Sequence, residues 1–163
     1  NGQAAEAFKP ILRSNGVKNA VAVASNNDAL QRLGEGAFNM IVVDEHFPNL
    51  GGYDFCHFIR LTNLSSSISP IIFGLHHPDQ QSVITGRDMR ASKIVAMPLT
   101  GQSLIAAVRS TLKELKPIVQ NTAYNGPDRR RPNAPPYQKA DRRHSPAKLI
   151  TVDQQRKVIL GKI

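Results

Sequence analysis

The residues best suited to chemistry lie in the last third of the chain, where a pattern of tyrosine, aspartate and arginine occurs twice. The first copy is Tyr124-Asn125-Gly126-Pro127-Asp128-Arg129-Arg130-Arg131, and the second is Tyr137-Gln138-Lys139-Ala140-Asp141-Arg142-Arg143-His144. Each tyrosine stands four residues before its aspartate, and the copies are thirteen positions apart. A linker that only carried positive charge would not need this register, so the pattern predicts a defined ligand.

These side chains have the donors, acceptors and planes that recognise guanine. Its O6 and N7 acceptors lie on one edge and suit a bidentate arginine. The opposite edge offers N1-H and N2-H donors, which suit a carboxylate. Tyrosine and arginine planes can stack on the ring, and the remaining arginines can bind phosphate. Two copies therefore predict a ligand with two guanines and two phosphates, which is cyclic di-GMP.

The positive charge of the chain is concentrated in the same region. The formal net charge is +9, yet residues 1–120 hold 11 of the 21 lysines and arginines and nine of the 12 acidic residues, leaving ten basic and three acidic residues in 121–163. A polyanionic partner should therefore bind the tail. Residues 124–146 have little apolar content, which predicts flexibility. We divide the chain into a folded domain, residues 1–118, and a flexible arginine-rich extension, residues 119–163.

Alternating helical and strand-like segments predict an α/β fold for the first domain. Short apolar runs predict parallel strands at residues 20–24, 40–43, 71–75 and 93–97. Apolar spacing and capping residues predict helices at about residues 4–15, 26–34, 53–61, 78–89 and 103–115. Short connections between them imply right-handed crossovers and a three-layer, doubly wound parallel sheet. Functional groups are then expected at the carboxyl ends of the strands.

One such strand end resembles the phosphoacceptor segment of CheY-like receiver domains in bacterial response regulators. Asp44 ends a buried strand, Pro48 follows four residues later, and Gly52 follows four beyond that. Pro70-Ile71-Ile72 and Met97-Pro98-Leu99 fall where that family has its fourth strand and its Lys-Pro turn. The resemblance spans the whole first domain. It implies a flavodoxin-like receiver fold, with Asp44 as the candidate phosphoacceptor of a His-to-Asp two-component phosphorelay.

Three other positions depart from the pattern of that family. Leu75 stands where a receiver has a serine or threonine, Met97 where it has a lysine, and Ile94 where it has an aromatic switch residue. Neither Leu75 nor Met97 can donate a strong hydrogen bond to a phosphoryl oxygen. The magnesium-binding acidic pair of the family has no counterpart. We therefore predict a non-enzymatic pseudo-receiver that binds no magnesium and docks on a protein partner; the alternative is a working phosphoacceptor.

The first strand of a receiver also has no counterpart in this sequence. Without it the sheet would expose an unpaired central edge. The favoured interpretation is that a preceding segment of a longer chain supplies this strand. In the alternative, Lys148-Leu149-Ile150-Thr151-Val152-Asp153 fills the gap, either in the same chain or from a second copy in a dimer. Asp153 would then arrive near Asp44.

Residues 124–144 also resemble the arginine-rich extension of the Cle group of CheY-like proteins from alphaproteobacteria. The Cle proteins bind cyclic di-GMP through that extension and act on the flagellar motor. The resemblance implies flagellar motility and chemotaxis as the process and the motor switch as a partner. The implied ligand contacts are Tyr124, Asp128, Arg129, Arg130, Arg131, Tyr137, Asp141, Arg142 and Arg143. The alternative is a disordered basic tail that binds acidic proteins or nucleic acid by charge alone.

The remaining reactive side chains do not predict a site of their own. His46, His57, His76 and His77 lack the spacing of metal ligands, so we interpret them as solvated loop residues and predict no metal site. Cys56 has no neighbour that marks it as a nucleophile. No helix-turn-helix follows the first domain, so specific DNA binding is not expected. The chain also lacks a long apolar stretch and a signal segment, which predicts a cytoplasmic protein without membrane insertion.

Overall fold

Three parallel strands form the centre of the first domain. In the computed structural model, which describes residues 2–121, 124–130 and 147–160, these strands are β1 (Ile41–Asp44), β2 (Ile71–Leu75) and β3 (Lys93–Ala96), in the order β1-β2-β3. Ile41 lies opposite Ile71, and Ile72 lies opposite Lys93. All residues of β2 are buried, because a strand covers each of its edges and helices cover both of its faces.

Five helices connect and cover these strands, as the alternation of patterns predicted. They are α1 (Gly2–Ser14), α2 (Asn26–Glu35), α3 (Gly52–Leu61), α4 (Gln80–Asp88) and α5 (Gly101–Lys113). The side chains of Ser25, Asp79 and Thr100 each accept a hydrogen bond from a backbone N-H of the first turn that follows. Such caps satisfy donors that have no partner within the helix, which explains where these three helices begin.

Apolar side chains fill a layer on each face of the sheet. One layer joins α2 and α3 to β1 and β2 and consists of Ala29, Leu33, Val43, Phe55, Cys56, Ile59, Ile71, Phe73 and Leu75. On the other face α5 contacts α1, β2 and β3, and its Leu104 and Ala107 are buried. Successive residues of a strand point to opposite faces, so Ile72 faces away from Ile71 and Phe73. The predicted three-layer, doubly wound parallel fold is confirmed.

The strand predicted at residues 20–24 is wrong, because these residues belong to no sheet. Val23 packs on the core, whereas Val21 is 49% exposed. A strand needs a neighbour for its backbone hydrogen bonds. In the described part of the chain, nothing pairs with the outer edge of β1, where Val42 is 48% exposed. Residues 20–24 therefore have apolar character suited to a strand, but they pair with none of the described strands.

The C-terminal extension contains a second, smaller sheet. Its central strand β4 (Ile118–Gln120) pairs antiparallel with β5 (Asn125–Pro127) and β6 (Lys148–Ile150), and α6 (Val152–Ile159) follows. The flexibility predicted for residues 124–146 is therefore wrong for β5, whereas β6 agrees with the strand-like pattern of residues 148–152. Ile118 and Ile150 are buried, at 1% and 8% exposure, whereas Leu149 is 49% exposed. The predicted boundary between residues 118 and 119 falls within β4.

The alternative in which Lys148–Asp153 completes the parallel sheet of the same chain is wrong. Leu149 pairs with Val119 of β4, and the chain enters α6 at Val152. Gln155 of α6 is buried and donates from its side chain to the backbone carbonyl of Lys116, at 2.6 Å. The segment is thus held at the small sheet by pairing and by this hydrogen bond. Among the described helices, none has both the length and the apolar character that a membrane crossing requires.

Candidate functional site

Asp44 lies at the carboxyl end of β1, beside the residue that follows β2. Its Oδ1 accepts a hydrogen bond from the backbone N-H of His46 at 2.8 Å. Its two carboxylate oxygens lie 3.0 and 3.2 Å from Nε2 of His76. Parallel pairing of Asp44 with Gly74 explains this proximity, because it brings both strand ends to one edge of the sheet. Gly52 is needed here, since a Cβ at that position would lie 2.2 Å from the backbone oxygen of Asp44.

His46 and His76 form a cluster with this carboxylate. The backbone N-H of His76 donates to the carboxylate of Glu45, and the two imidazole rings lie 4.4 Å apart between centroids. Asp44, His46 and His76, which we call the Asp44 cluster, each present a ligand atom within 4.8 Å of the other two. His46 and His76 lie in loops and are reached by solvent, as predicted, but they also lie together with Asp44, which the sequence did not indicate. Sequence spacing could not reveal the cluster, because its members follow two different strands.

In the structure, apolar side chains occupy the positions at which a receiver has the groups that assist phosphoryl transfer. Leu75 is fully buried in the core, and Ile94 packs against the same core. Met97 lies against Gly74, where an added Cβ would meet its Sδ at 2.8 Å. The magnesium ion that assists transfer to a carboxylate prefers oxygen ligands in near-octahedral geometry. Within the described residues, the ligand atoms grouped with that of Asp44 belong to two imidazoles, a set that does not fit that ion.

The first copy of the tyrosine and arginine pattern lies at the opposite end of the parallel strands. We call residues 124–130 the docked arm. The Asn125 side chain donates to the backbone carbonyl of Arg60, in the last turn of α3. The backbone N-H of Asp128 donates to the carbonyl of Pro117 at 2.7 Å. A Cβ on Gly126 would lie 2.7 Å from Cβ of Arg90, so only glycine allows this close approach.

Arg60 organises the surface on which the arm docks. Its side chain is fully buried and donates to the backbone carbonyls of Ser67 at 2.6 Å, Ser69 at 2.8 Å and Arg90 at 3.3 Å. Burial lowers the pKa of Arg60 to about 10. Carbonyl oxygens, which carry only partial charge, thus solvate this cation. The helical spacing of Cys56 and Arg60 was the one sequence signal of its burial.

Tyr124 is the aromatic centre of the docked arm. The guanidinium carbons of Arg90 and Arg129 each lie 5.0 Å from the centre of its ring, within the range of a cation–π contact. Its hydroxyl donates to the carbonyl of Pro127 at 2.7 Å. Burial lowers the pKa of Arg90, whose side chain lies between the arm and the domain. Sequence reasoning missed Arg90, because nothing in the pattern of residues 84–92 singles it out.

The charged residues of the arm already have partners in the chain. Arg129 donates to the carboxylate of Asp88 at 2.9 Å and to the backbone carbonyls of Arg87 and Asp88, where the C-terminus of α4 favours a cation. Arg130 donates to both carboxylate oxygens of Asp128, and this hydrogen bonding raises the pKa of Arg130. An incoming ligand would therefore have to compete with carboxylates for both guanidinium groups.

The predicted ligand contacts divide into two groups. The structure brings Tyr124, Asp128, Arg129 and Arg130 together in the docked arm. The other predicted contacts lie outside the described residues, and they are Arg131, Tyr137, Asp141, Arg142 and Arg143. Asp44, the predicted phosphoacceptor, is remote from the arm because the arm adjoins the C-terminus of α3 and Asp44 precedes its N-terminus. The two predicted functions therefore use separate sites.

Comparison with known proteins agrees with this fold. The chain is 32% identical over 90 residues to the transcriptional regulatory protein AfsQ1 of Streptomyces coelicolor, covering 55% of this chain and 38% of that protein. It is 28% identical over 109 residues to the DNA-binding response regulator MtrA of Mycolicibacterium smegmatis, covering 67% of this chain and 46% of that protein. The chain thus matches less than half the length of either relative.

Solved structures share the fold of the first domain. The chemotaxis protein CheY4 of Vibrio cholerae superposes with a TM-score of 0.62 at 16% identity, covering 68% of this chain and 91% of that one. The signal receiver domain of a histidine kinase from Syntrophus aciditrophicus gives 0.61 at 22% identity, covering 71% and 86%. The sequence profile of the response regulator receiver domain matches residues 1–109. The chain therefore belongs to the response regulator receiver family of two-component signalling.

Proposed function

We propose that this chain is a non-enzymatic signalling module whose arginine-rich extension binds cyclic di-GMP and thereby controls docking on a protein partner, such as the flagellar motor switch. The observation that carries the proposal is the cluster of Tyr124, Asp128, Arg129 and Arg130 in the docked arm. The cluster combines an aromatic plane, a carboxylate and two guanidinium groups. A second copy of the same residue types follows thirteen positions later. The two copies match the two guanines of one cyclic dinucleotide.

The geometry of the arm suits exchange of its internal contacts for a ligand. The Arg129 and Arg130 side chains are 39% and 63% exposed, so an anion can approach both. The Arg129–Asp88 pair is exposed on both sides, at 39% and 45%, and ion pairs of this exposure contribute only about 0–1 kcal/mol each. A nucleotide that offers two phosphates and two acceptor edges can therefore replace them. Release of Asp88 from Arg129 would change the surface at the end of α4, which links the ligand to docking.

The Asp44 end of the domain supports control by the extension instead of by phosphorylation. Both oxygens of Asp44 lie within hydrogen-bond distance of His76, and Leu75 and Met97 offer no donor for a phosphoryl group. A phosphoryl group would have to displace the imidazole and would gain neither a hydroxyl nor an ammonium partner. Regulation at a different site is therefore the better explanation of this domain.

Calorimetric titration of the protein tests the proposal. At near-physiological ionic strength we expect saturable binding of cyclic di-GMP and weaker binding of GTP and of a DNA duplex. The double variant Asp128→Ala plus Asp141→Ala should lose this binding, because both guanine-facing carboxylates are gone. The control, Glu114→Ala plus Asp153→Ala, makes the same charge change outside the repeat and should bind like the unaltered protein. Equal, steeply salt-dependent binding by all these proteins would instead indicate attraction by charge alone.

The alternative function is that of a working phosphoacceptor in a His-to-Asp phosphorelay. It is favoured by the position of Asp44 at the carboxyl end of β1, with its side chain 25% exposed. Incubation with acetyl phosphate and magnesium, followed by intact mass measurement, decides between the two. We expect no added phosphoryl group. A phosphoryl adduct that is absent from an Asp44→Asn variant would favour the phosphorelay.

A further inference from the structure

We propose that the Asp44 cluster binds a borderline divalent metal ion of the Zn²⁺ class. The Oδ1 atom of Asp44 and Nε2 of His76 are 3.0 Å apart, and a ligand atom of His46 lies within 4.8 Å of both. Two imidazoles and one carboxylate form a ligand set that catalytic zinc sites use, with a fourth position left for water. The site would replace, at the same strand ends, the oxygen-rich magnesium site that the cluster does not fit.

One pair of ligand atoms in the cluster lies close to the separation that a tetrahedral ion requires. Ligand atoms about 2.1 Å from Zn²⁺ lie about 3.4 Å from one another in a tetrahedron. The Asp44–His76 pair, at 3.0 and 3.2 Å, is within a few tenths of an ångström of that separation. His46 is exposed, so its ring can rotate to complete the set. Binding therefore needs one side chain to adjust and no movement of the sheet.

Neighbouring groups hold the proposed ligands in place. The carboxylate of Glu45 accepts the backbone N-H of His76, and Asp44 accepts the backbone N-H of His46. Close packing of Gly52 on the backbone of Asp44 fixes the loop between β1 and α3. Contacts of this kind orient metal ligands and reduce the entropy lost on binding. The Asp44 and His76 side chains are 25% and 33% exposed, so an ion can reach them from solvent.

The ligand types select the class of ion. Imidazole nitrogen suits Zn²⁺, Cu²⁺ and Ni²⁺, whereas Mg²⁺ and Ca²⁺ prefer oxygen donors. An ion bound here would hold the loops that follow β1 and β2 together and would occupy the carboxylate of Asp44. The Asp44 end of the domain would then respond to a metal ion, independently of the ligand of the docked arm.

Titration of the untagged, metal-stripped protein with ZnCl₂ and with MgCl₂ tests the site. We expect one Zn²⁺ per chain, and no competition by millimolar Mg²⁺. His46→Ala and His76→Ala should each lower the Zn²⁺ affinity about tenfold or more. Because the His46 ring is exposed, its replacement should leave the melting temperature of the metal-free protein unchanged. His77→Ala is the matched control, since His77 adjoins His76 but lies outside the cluster.

Spectroscopy adds a readout of geometry. Co²⁺ in place of Zn²⁺ should show the intense visible absorption of a tetrahedral nitrogen and oxygen site, and Asp44→Asn should weaken it. Absence of Zn²⁺ binding would overturn the proposal. So would equal Zn²⁺ affinity of the His46→Ala variant and the unaltered protein, or an equal loss in His77→Ala. A loss confined to the cluster variants would support it.

Discussion

The two ends of the parallel sheet use charged residues in different ways. At the carboxyl end, Asp44 is partly exposed and contacts imidazole groups that solvent can also reach. At the amino end, Arg60 is wholly buried and its hydrogen bonds go to backbone carbonyls. Exposed charge pairs contribute little to stability, whereas a buried charge is costly to leave without partners. The Asp44 end is therefore suited to exchange of partners, while the Arg60 end holds the structure together.

The docked arm combines both kinds of contact. Its inner residues, Asn125 and Gly126, are fitted against Arg60 and Arg90, whereas Arg129 and Arg130 lie on the solvent side. Under the proposed function, a ligand would change the outer contacts while the inner ones keep the arm in place.

Removal of Arg60 should destabilise the protein most strongly, because this side chain holds the amino end of the sheet together. In an Arg60→Met variant the carbonyls of Ser67, Ser69 and Arg90 lose their shared donor inside the protein. Unpaired buried acceptors cost about 1–3 kcal/mol each, so we expect a loss of about 3–4 kcal/mol in the free energy of unfolding. Urea denaturation measures this loss. The exposed Arg109 is the control, and Arg109→Met should cost less than about 0.5 kcal/mol.

A side chain added at position 126 should separate the arm from the domain. A Gly126→Ala variant would place its Cβ 2.7 Å from Cβ of Arg90, so β5 would have to shift. We expect a loss of about 1–3 kcal/mol and faster proteolysis within residues 121–130. Gly34→Ala is the control, because nothing lies within 4 Å of a Cβ at that helical position. Equal effects of the two substitutions would mean that the arm does not depend on this contact.

The pH dependence of stability reports on the burial of the Cys56 thiol, which lies near Arg60. Burial raises the pKa of Cys56 to about 12, above the value of about 8.5 in an unfolded chain. The unfolded state therefore loses the proton first, so the stabilising effect is complete below about pH 8.5 and is lost as the pH rises towards 12. Between about pH 8.5 and 10 the protein should lose about 1–2 kcal/mol more stability than a Cys56→Ala variant.

Measurements above this window would mix two effects of opposite sign. Burial lowers the pKa of Arg60 to about 10, so the folded state loses that proton first and gains stability as the pH rises from there. Denaturation at several pH values below 10 therefore isolates the thiol. A difference between the two proteins that does not change with pH would contradict the burial of Cys56 as a neutral thiol.

Substitution of Asp88 should have the smallest effect on stability and the most specific effect on ligand binding. Its ion pair with Arg129 is 45% and 39% exposed, so Asp88→Ala should change the free energy of unfolding by less than about 1 kcal/mol. Under the proposed function, the affinity for cyclic di-GMP should rise a few-fold, because Arg129 no longer has a competing carboxylate. Asp28→Ala, which removes an exposed partner of Arg32, is the control. Weaker binding by Asp88→Ala would show that Asp88 positions Arg129 for the ligand.

Local sequence patterns determined most of the parallel domain. The strands at residues 41–44, 71–75 and 93–96 and the helix start after Ser25 follow from apolar runs and a cap, which act over a few residues. The position of Asp44 at a strand end and the apolar residues at 75 and 97 could also be read directly. These features depend on neighbours along the chain, which is why they were predictable.

Only the tertiary structure decided which distant segments meet. Residues 20–24 and 148–150 both have strand-like sequences, yet the first lacks a neighbour and the second pairs with β4. His46 and His76 approach because two parallel strands end side by side, and Arg60 is buried because carbonyls from two later loops surround it. Strand pairing, side-chain approach and charge burial each depend on the full arrangement of the chain, and no local pattern contains that information.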